Sequence, residues 1–194
     1  MVEITKGNLF VVSGPSGVGK STICAEVIKR MDNVHLSVSA TTRPIGKGEV
    51  DGQNYFYLSQ EQFKGMIRNN EFLEYAEVFG NFYGTPWQPV KESIDRGESI
   101  ILEIDVQGGM SVKKVYDEVV LIFVVAPTTE DVKQRLSGRA RGEDEETERK
   151  RMELAEKEIA VANEHYDHIV VNDDLKRAVQ EVMCIIKSNS GENE

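Results

Sequence analysis

The stretch Gly14-Pro15-Ser16-Gly17-Val18-Gly19-Lys20-Ser21 leaves this chain few folds to choose from. It has the form G-x-x-x-x-G-K-[ST], a phosphate-binding loop that belongs between a strand and a helix. Glycines at 14, 17 and 19 let the backbone take positive φ and approach a ligand closely. The N–H groups of such a loop form an anion-binding nest. The N-terminus of the next helix adds its unpaired donors and its dipole. Lys20 is expected to reach the β- and γ-phosphates and Ser21 to hold Mg²⁺. The flanks have the required order. Asn8 to Ser13 is a short apolar run suited to a buried parallel strand. Ser21 to Met31 follows, with Ile23, Val27, Ile28 and Met31 at helical spacing.

A length of 194 residues gives room for one α/β domain with a full core. Hydrophobic residues at 40% and charged residues at 29% are ordinary for a globular protein. No apolar run nears the ~20 residues of a membrane span, and the N-terminus lacks a signal-peptide layout. Cys24 and Cys184 have no metal-type spacing, and Cys24, inside the first helix, reads as a buried thiol. A reducing cytosol fits, so a cytoplasmic location is expected. A net charge of −10 argues against a nucleic-acid surface. It also requires any nucleotide site to be locally basic, which makes clustered arginines informative.

Along the chain, Leu36 to Ala40 reads as a second strand leading into the turn-rich loop Thr41 to Glu49. Gln53 to Leu58 alternates like a half-exposed strand, and Ser59-Gln60-Glu61-Gln62 has capping-box form for a helix to about Asn69. Phe72 to Phe79 and Asn81 to Gly84 read as strands around a tight turn. Pro86 begins a helix that Gly97 ends. Ser99 to Asp105 is a near-continuous apolar strand closing in two acids, Glu103 and Asp105. A strand of that kind beside a phosphate loop resembles the motif whose carboxylate orients Mg²⁺. Val119 to Ala126 is the most apolar strand and is expected at the centre of the sheet. Thr128 to Leu136 reads as a helix capped by Thr128 or Thr129. An arginine-rich segment, Ser137 to Arg151, leads into a long helix ending near His165. Met152, Ala155, Ile159 and Ala162 share one face of it. His168 to Val171 is a last strand, and Asn172-Asp173-Asp174 caps a final helix to about Lys187. Alternating strands and helices imply a parallel sheet covered on both faces. The stretch 35 to 97 breaks that rhythm with short, mostly antiparallel strands and reads as an inserted substrate lobe.

These landmarks together resemble the guanylate kinase family over roughly residues 7 to 187. They are Gly14 to Thr22, Ser37 to Arg43, Gly48 to Gly52, Glu74-Tyr75-Ala76, Gly80 to Thr85, Ile104 to Gly108 and Val171 to Asp174. The resemblance implies a P-loop NTPase fold with a core at about 7–34, 98–136 and 167–187. It adds a GMP-binding lobe at about 35–97 and a helical lid at about 137–166. It implies ATP-dependent phosphorylation of GMP and dGMP with Mg²⁺. Other implied properties are small-molecule partners only, no membrane and no nucleic acid, with a homo-oligomer compatible. The implied ATP contacts are Gly14, Pro15, Ser16, Gly17, Val18, Gly19, Lys20, Ser21, Thr22, Arg135 and Asn172. Ser39 and Glu74 would read the guanine edge, with Thr85 beside them and Glu103 also toward GMP. Arg43, Tyr55 and Tyr83 would hold its phosphate. A carboxylate suits guanine, whose N1–H and N2–H₂ are adjacent donors. Ser21 and, through water, Asp105 would hold the metal. Lys20, Arg43, Arg139 and Arg151 would be catalytic.

Plainer readings stand beside these. Tyr55 and Tyr83 also fit aromatic packing, Glu74 a solvated strand, and Arg149 and Lys150 a solvated helix face. Either Arg139 or Arg141 fits the lid contact, with Arg139 favoured, because relatives read Gly-Arg-Gly where this chain reads Gly138-Arg139-Ala140-Arg141-Gly142. A non-catalytic guanylate-kinase-like interaction domain, or another nucleoside monophosphate kinase, is the alternative. The intact Lys20 and glycines oppose the first, and Glu74 with Ser39 opposes the second. Relatives carry Arg-x-x-Arg where this chain has Arg43 and Gly46. Lys47 either substitutes for the missing arginine or stays in solvent.

Overall fold

Alternation within the first strand sets the two faces of the molecule. All five residues of β1 (Leu9–Ser13) are buried. Phe10 and Val12 enter one apolar cluster, while Leu9 and Val11 enter another. That is the two-residue period of an extended chain. A strand apolar on both faces belongs inside a sheet covered on both sides. A computed structural model of the chain describes residues 6–128, 131 and 145–190 and has that arrangement.

After β1 come α1 (Lys20–Arg30), β2 (Val34–Leu36), β3 (Ala40–Thr41), β4 (Phe56–Tyr57) and α2 (Gln60–Arg68). The hairpin β5 (Phe72–Val78) and β6 (Asn81–Pro86) runs into α3 (Trp87–Asp95), β7 (Ser99–Glu103) and α4 (Val106–Val115). β8 (Val120–Val125), α5 (Glu145–His165), β9 (His168–Val171) and α6 (Leu175–Asn189) follow. Five strands form a parallel sheet in the order β2-β7-β1-β8-β9. α1 and α6 pack on one face through Ile23, Val27, Val179 and Val182, and α3 and α4 on the other through Val90, Ile94 and Val112. Each such side chain contributes about 1.5–3 kcal/mol on burial. The strand ends carrying the site therefore rest on a sheet covered on both faces. A second sheet, β4-β3-β6-β5, forms the inserted lobe. No described helix is long and apolar enough to cross a membrane.

Several sequence expectations change. Leu36 to Ala40 is not one strand: it splits into β2 of the large sheet and β3 of the small one, with Ser37–Ser39 crossing between them. Apolarity measures burial on two faces and not rank in the sheet, so β1 is central and β8 lies beside it. Gln53 to Leu58 shortens to β4, which pairs parallel with β3. Helix α4, which carries the paired glycines Gly108-Gly109, is not anticipated. Its glycines serve packing: a Cβ at Gly109 would lie 2.4 Å from the Tyr166 hydroxyl. Other expectations hold. Ser59 and Gln62 form the capping box of α2, Asp174 caps α6, and Ala155 and Ala162 are buried on α5. Cys24 is a buried thiol, pushed up to about 12 chiefly by burial.

Candidate active site

The loop after β1 is held open by contacts only glycine permits. Gly14 sits at φ 148° with its Cα so close to β8 that a Cβ would lie 2.1 Å from the Val124 carbonyl oxygen. Gly19 caps α1 at φ 98° with no side-chain partner for the first helical N–H groups. A serine cap would occupy such donors; a glycine cap does not. The Lys20 ammonium donates to the carbonyls of Gly14, at 2.6 Å, and Pro15, at 3.1 Å, and so lies folded over its own loop. Asn172, expected at ATP, is buried at the start of the β9–α6 connection. Its amide donates to the Val18 carbonyl at 2.7 Å, supporting the loop. Ser21 and Thr22 are exposed on the first turn of α1.

The two acids after β7 have different partners. The Ser21 hydroxyl donates to Glu103 Oε1 at 2.5 Å. The sequence reading has Glu103 toward GMP; in this structure its carboxylate meets the phosphate-loop serine, at the end of the strand adjacent to β1. Asp105, expected on the metal side, caps α4, its Oδ1 accepting from Gly108 N at 2.7 Å. Its negative charge also acts on Glu74 across the cleft. Beneath them runs a chain of hydrogen bonds. Tyr166 donates to Ser13 Oγ at 2.8 Å, and Ser13 donates to the Asp105 carbonyl at 3.2 Å. Burial pushes the Tyr166 phenol up to about 12. It also raises the Glu158 carboxyl of α5, against the pull of Lys20.

The lobe gathers the residues expected at an acceptor. Glu74 of β5 and Thr85 of β6 are cross-strand partners, and Thr85 Oγ1 donates to Glu74 Oε1 at 2.7 Å. Burial holds this carboxyl above the usual range for a glutamate. Thr85 is fully buried. Continuing the antiparallel β3–β6 register from Ala40↔Gly84 brings Ser39 opposite Thr85. A second cluster sits further along the same sheet. The rings of Tyr55 and Tyr83 lie 6.1 Å apart, edge to face, and Tyr57 lies 6.0 Å from Tyr55. The Arg43 guanidinium stacks over Tyr55 at 5.5 Å and Tyr57 at 5.8 Å. Glu49 grips it bidentately, at 3.0 and 2.8 Å. That fork raises the arginine further and holds the Glu49 carboxyl down at about 2. Lys47 is exposed and shares no hydrogen bond or ion pair with the described residues.

Sequence reasoning gives no role to Glu49, Tyr57, Ser13, Tyr166 or Glu158. Tyr57 was within reach, since Tyr55 and Tyr57 share a face of an extended segment. The others depend on long-range contacts. Arg151 is half-buried in α5. Arg135, Arg139 and Arg141 lie outside the described residues; of the helix expected over Thr128 to Leu136, Thr128 and Asp131 are described, and the Thr128 hydroxyl accepts from Asp131 N at 3.1 Å.

A phosphate loop on the central strand of a five-stranded parallel sheet defines a P-loop NTPase. The model of the guanylate kinase family matches residues 6–189. A guanylate kinase of Carboxydothermus hydrogenoformans is 49% identical over 182 residues, 93% of this chain and 88% of that protein. One of Clostridioides difficile is 47% identical over 185 residues, 95% and 89% respectively. The crystal structure of guanylate kinase from Anaplasma phagocytophilum superposes with a TM-score of 0.74 at 32% identity, covering 96% of this chain and 87% of that one. The chain belongs to the guanylate kinase family.

Proposed function

We propose that this chain transfers the γ-phosphoryl group of ATP to GMP, giving ADP and GDP. One observation carries the choice of acceptor. The half-buried Glu74, paired with the buried Thr85, and the Arg43–tyrosine cluster lie on one lobe sheet, as a base pocket and a phosphate pocket would. Glu74 supplies two acceptor oxygens, suited to the paired donors of guanine and mismatched to adenine. Ser39 and Thr85 complete that edge. Arg43, Tyr55 and Tyr83 bind the GMP phosphate. None of these contacts calls on a 2′-hydroxyl, so dGMP is a second acceptor.

The GMP phosphate is already a nucleophile, so the protein has to align two anions and offset their charge. The loop N–H groups from Gly14 to Thr22 cradle the donor phosphates, and Lys20 turns from its own carbonyls to the β- and γ-oxygens. Arg151 of α5, with Arg135 and Arg139 or Arg141 before it, neutralises the transferring group. Asn172 acts on ATP indirectly, by holding the loop. Ser21 and Glu103 are oxygen donors 2.5 Å apart, fit for a hard cation that keeps several waters and phosphate ligands. Mg²⁺ held by Ser21 and Glu103 would offset the charge of the donor phosphates. Asp105, nearer Glu74, belongs to the acceptor side. In domain terms, 35–97 is the GMP lobe and 137–166 the lid.

Lys20→Ala tests the reading. The variant is expected to fold, since the Lys20 ammonium donates to carbonyls of its own loop, and to lose kcat by orders of magnitude. Near wild-type turnover in the folded variant would remove Lys20 from the mechanism.

A further inference from the structure

The Arg43–Glu49 fork lies where an acceptor phosphate is expected, and a carboxylate there needs explaining. We propose that Glu49 is a positioning residue for GMP: it holds the Arg43 guanidinium in its phosphate-binding orientation and takes the place, in this chain, of the second arginine found in relatives. The inference rests on the acceptor site proposed above.

The pairing geometry carries it. Glu49 Oε1 accepts from Nη2 and Oε2 from Nη1, so the carboxylate uses the end of the guanidinium. Nη1 gives its other hydrogen to the Pro44 carbonyl at 2.9 Å. The side edge, Nε with the second hydrogen of Nη2, is paired with no carboxylate among the described residues. Planar forks bind phosphate bidentately along such an edge. The carboxylate itself is fastened independently. Oε2 accepts the Gly46 N–H at 2.5 Å, and a Cβ at Gly46 would lie 2.7 Å from that same oxygen. Position 46 thus supplies a backbone donor to Glu49, and a side chain there would push the carboxylate away. Tyr55 and Tyr57 hold the face of the guanidinium. An arginine fixed on its end and its face has already given up the rotamer freedom that phosphate binding would otherwise remove. A loop with one arginine in place of two gains most from that ordering.

The opposite role is also definite: a carboxylate on Arg43 would compete with the phosphate. The two differ in sign. With Glu49→Gln the amide donates where the carboxylate accepted, and the fork opens. Positioning predicts that KM for GMP rises roughly tenfold, the scale of one charge-assisted hydrogen bond, while KM for ATP stays at its wild-type value. It also predicts that Arg43→Ala with Glu49→Gln is no worse than Arg43→Ala alone, because Glu49 acts only through Arg43. A fall in KM for GMP would make Glu49 a competitor and overturn the proposal. So would unchanged KM, an additive double variant, or a parallel loss of ATP affinity, which would assign Glu49 to the fold and not to GMP. If Arg43→Ala alone leaves KM for GMP unchanged, the acceptor-site reading fails instead.

Discussion

Replacing Glu74 by glutamine removes one oxygen from the base pocket and changes nothing else in size. Glu74 Oε1 already accepts from Thr85, at 2.7 Å, leaving Oε2 and the second lone pairs to face guanine. A glutamine has one oxygen. If it faces Thr85, the amide NH₂ opposes the guanine donors. If it faces guanine, only one of two donors is met well and the charge is gone. A lost hydrogen bond to a charged group costs about 1.5–3 kcal/mol, and an unpaired buried donor about 1–3 more. Water and relaxation recover part of this, so about 2–4 kcal/mol is expected in kcat/KM for GMP. That is roughly 30- to 1,000-fold. Steady-state kinetics with ATP fixed and GMP or AMP varied measures it. KM for ATP should not move, and the GMP preference should collapse. Burial raises the Glu74 pKa. In the wild type kcat/KM for GMP should therefore fall, as pH drops, at a higher pH than an ordinary glutamate gives. The glutamine variant should lack that limb. An unchanged preference for GMP over AMP would show that guanine is read elsewhere.

Three further outcomes can be checked on purified protein. Tyr166→Phe keeps the ring against Phe123 but removes the hydroxyl from buried Ser13. It should cost about 1 kcal/mol, seen as a melting-temperature drop of about 2–4 °C; no drop would mean the Tyr166–Ser13 bond is energetically idle. Lys47→Ala should leave KM for GMP unchanged, since the lysine is exposed, and a rise would return it to the phosphate site. The Glu49 carboxyl is lowered from 4.5 to about 2 by Arg43. Its stabilisation is therefore complete above pH 4.5 and fades as pH falls through about 2. The melting-temperature gap between wild type and Glu49→Gln should hold steady from pH 7 to 5 and narrow below 4.5; a gap that narrows above pH 5 would contradict the pairing.

What could be read from residue order was whatever has a local cause. The glycines at 14, 17 and 19 take positive φ because the loop geometry requires it, and the capping box at Ser59 is complete within four residues. Arg43, Tyr55 and Tyr83 come together as the family resemblance implies. Features with non-local causes were not legible. Glu103 and Asp105 are two residues apart, and nothing in their order says which meets Ser21; the parallel β1–β7 register decides it. Nothing near Asn172 in sequence says that its amide rests on the Val18 carbonyl, 154 residues away. Gly46 reads as a missing arginine; that its N–H serves Glu49, three residues on, depends on a loop conformation that residue order does not reveal. Helix α4 was hidden because its paired glycines lower helix propensity for the sake of close packing against Tyr166 and Ile104.

Phosphoryl transfer itself can be followed with γ-labelled ATP and one acceptor at a time, GMP, dGMP, AMP, CMP or UMP, using the full chain and Mg²⁺. Label should appear at the β-position of GDP and dGDP and be at background for the other three. Transfer to AMP, CMP or UMP at rates matching GMP, or ATP hydrolysis that no acceptor captures, would contradict the assignment of Glu74 and Arg43 to a guanylate site.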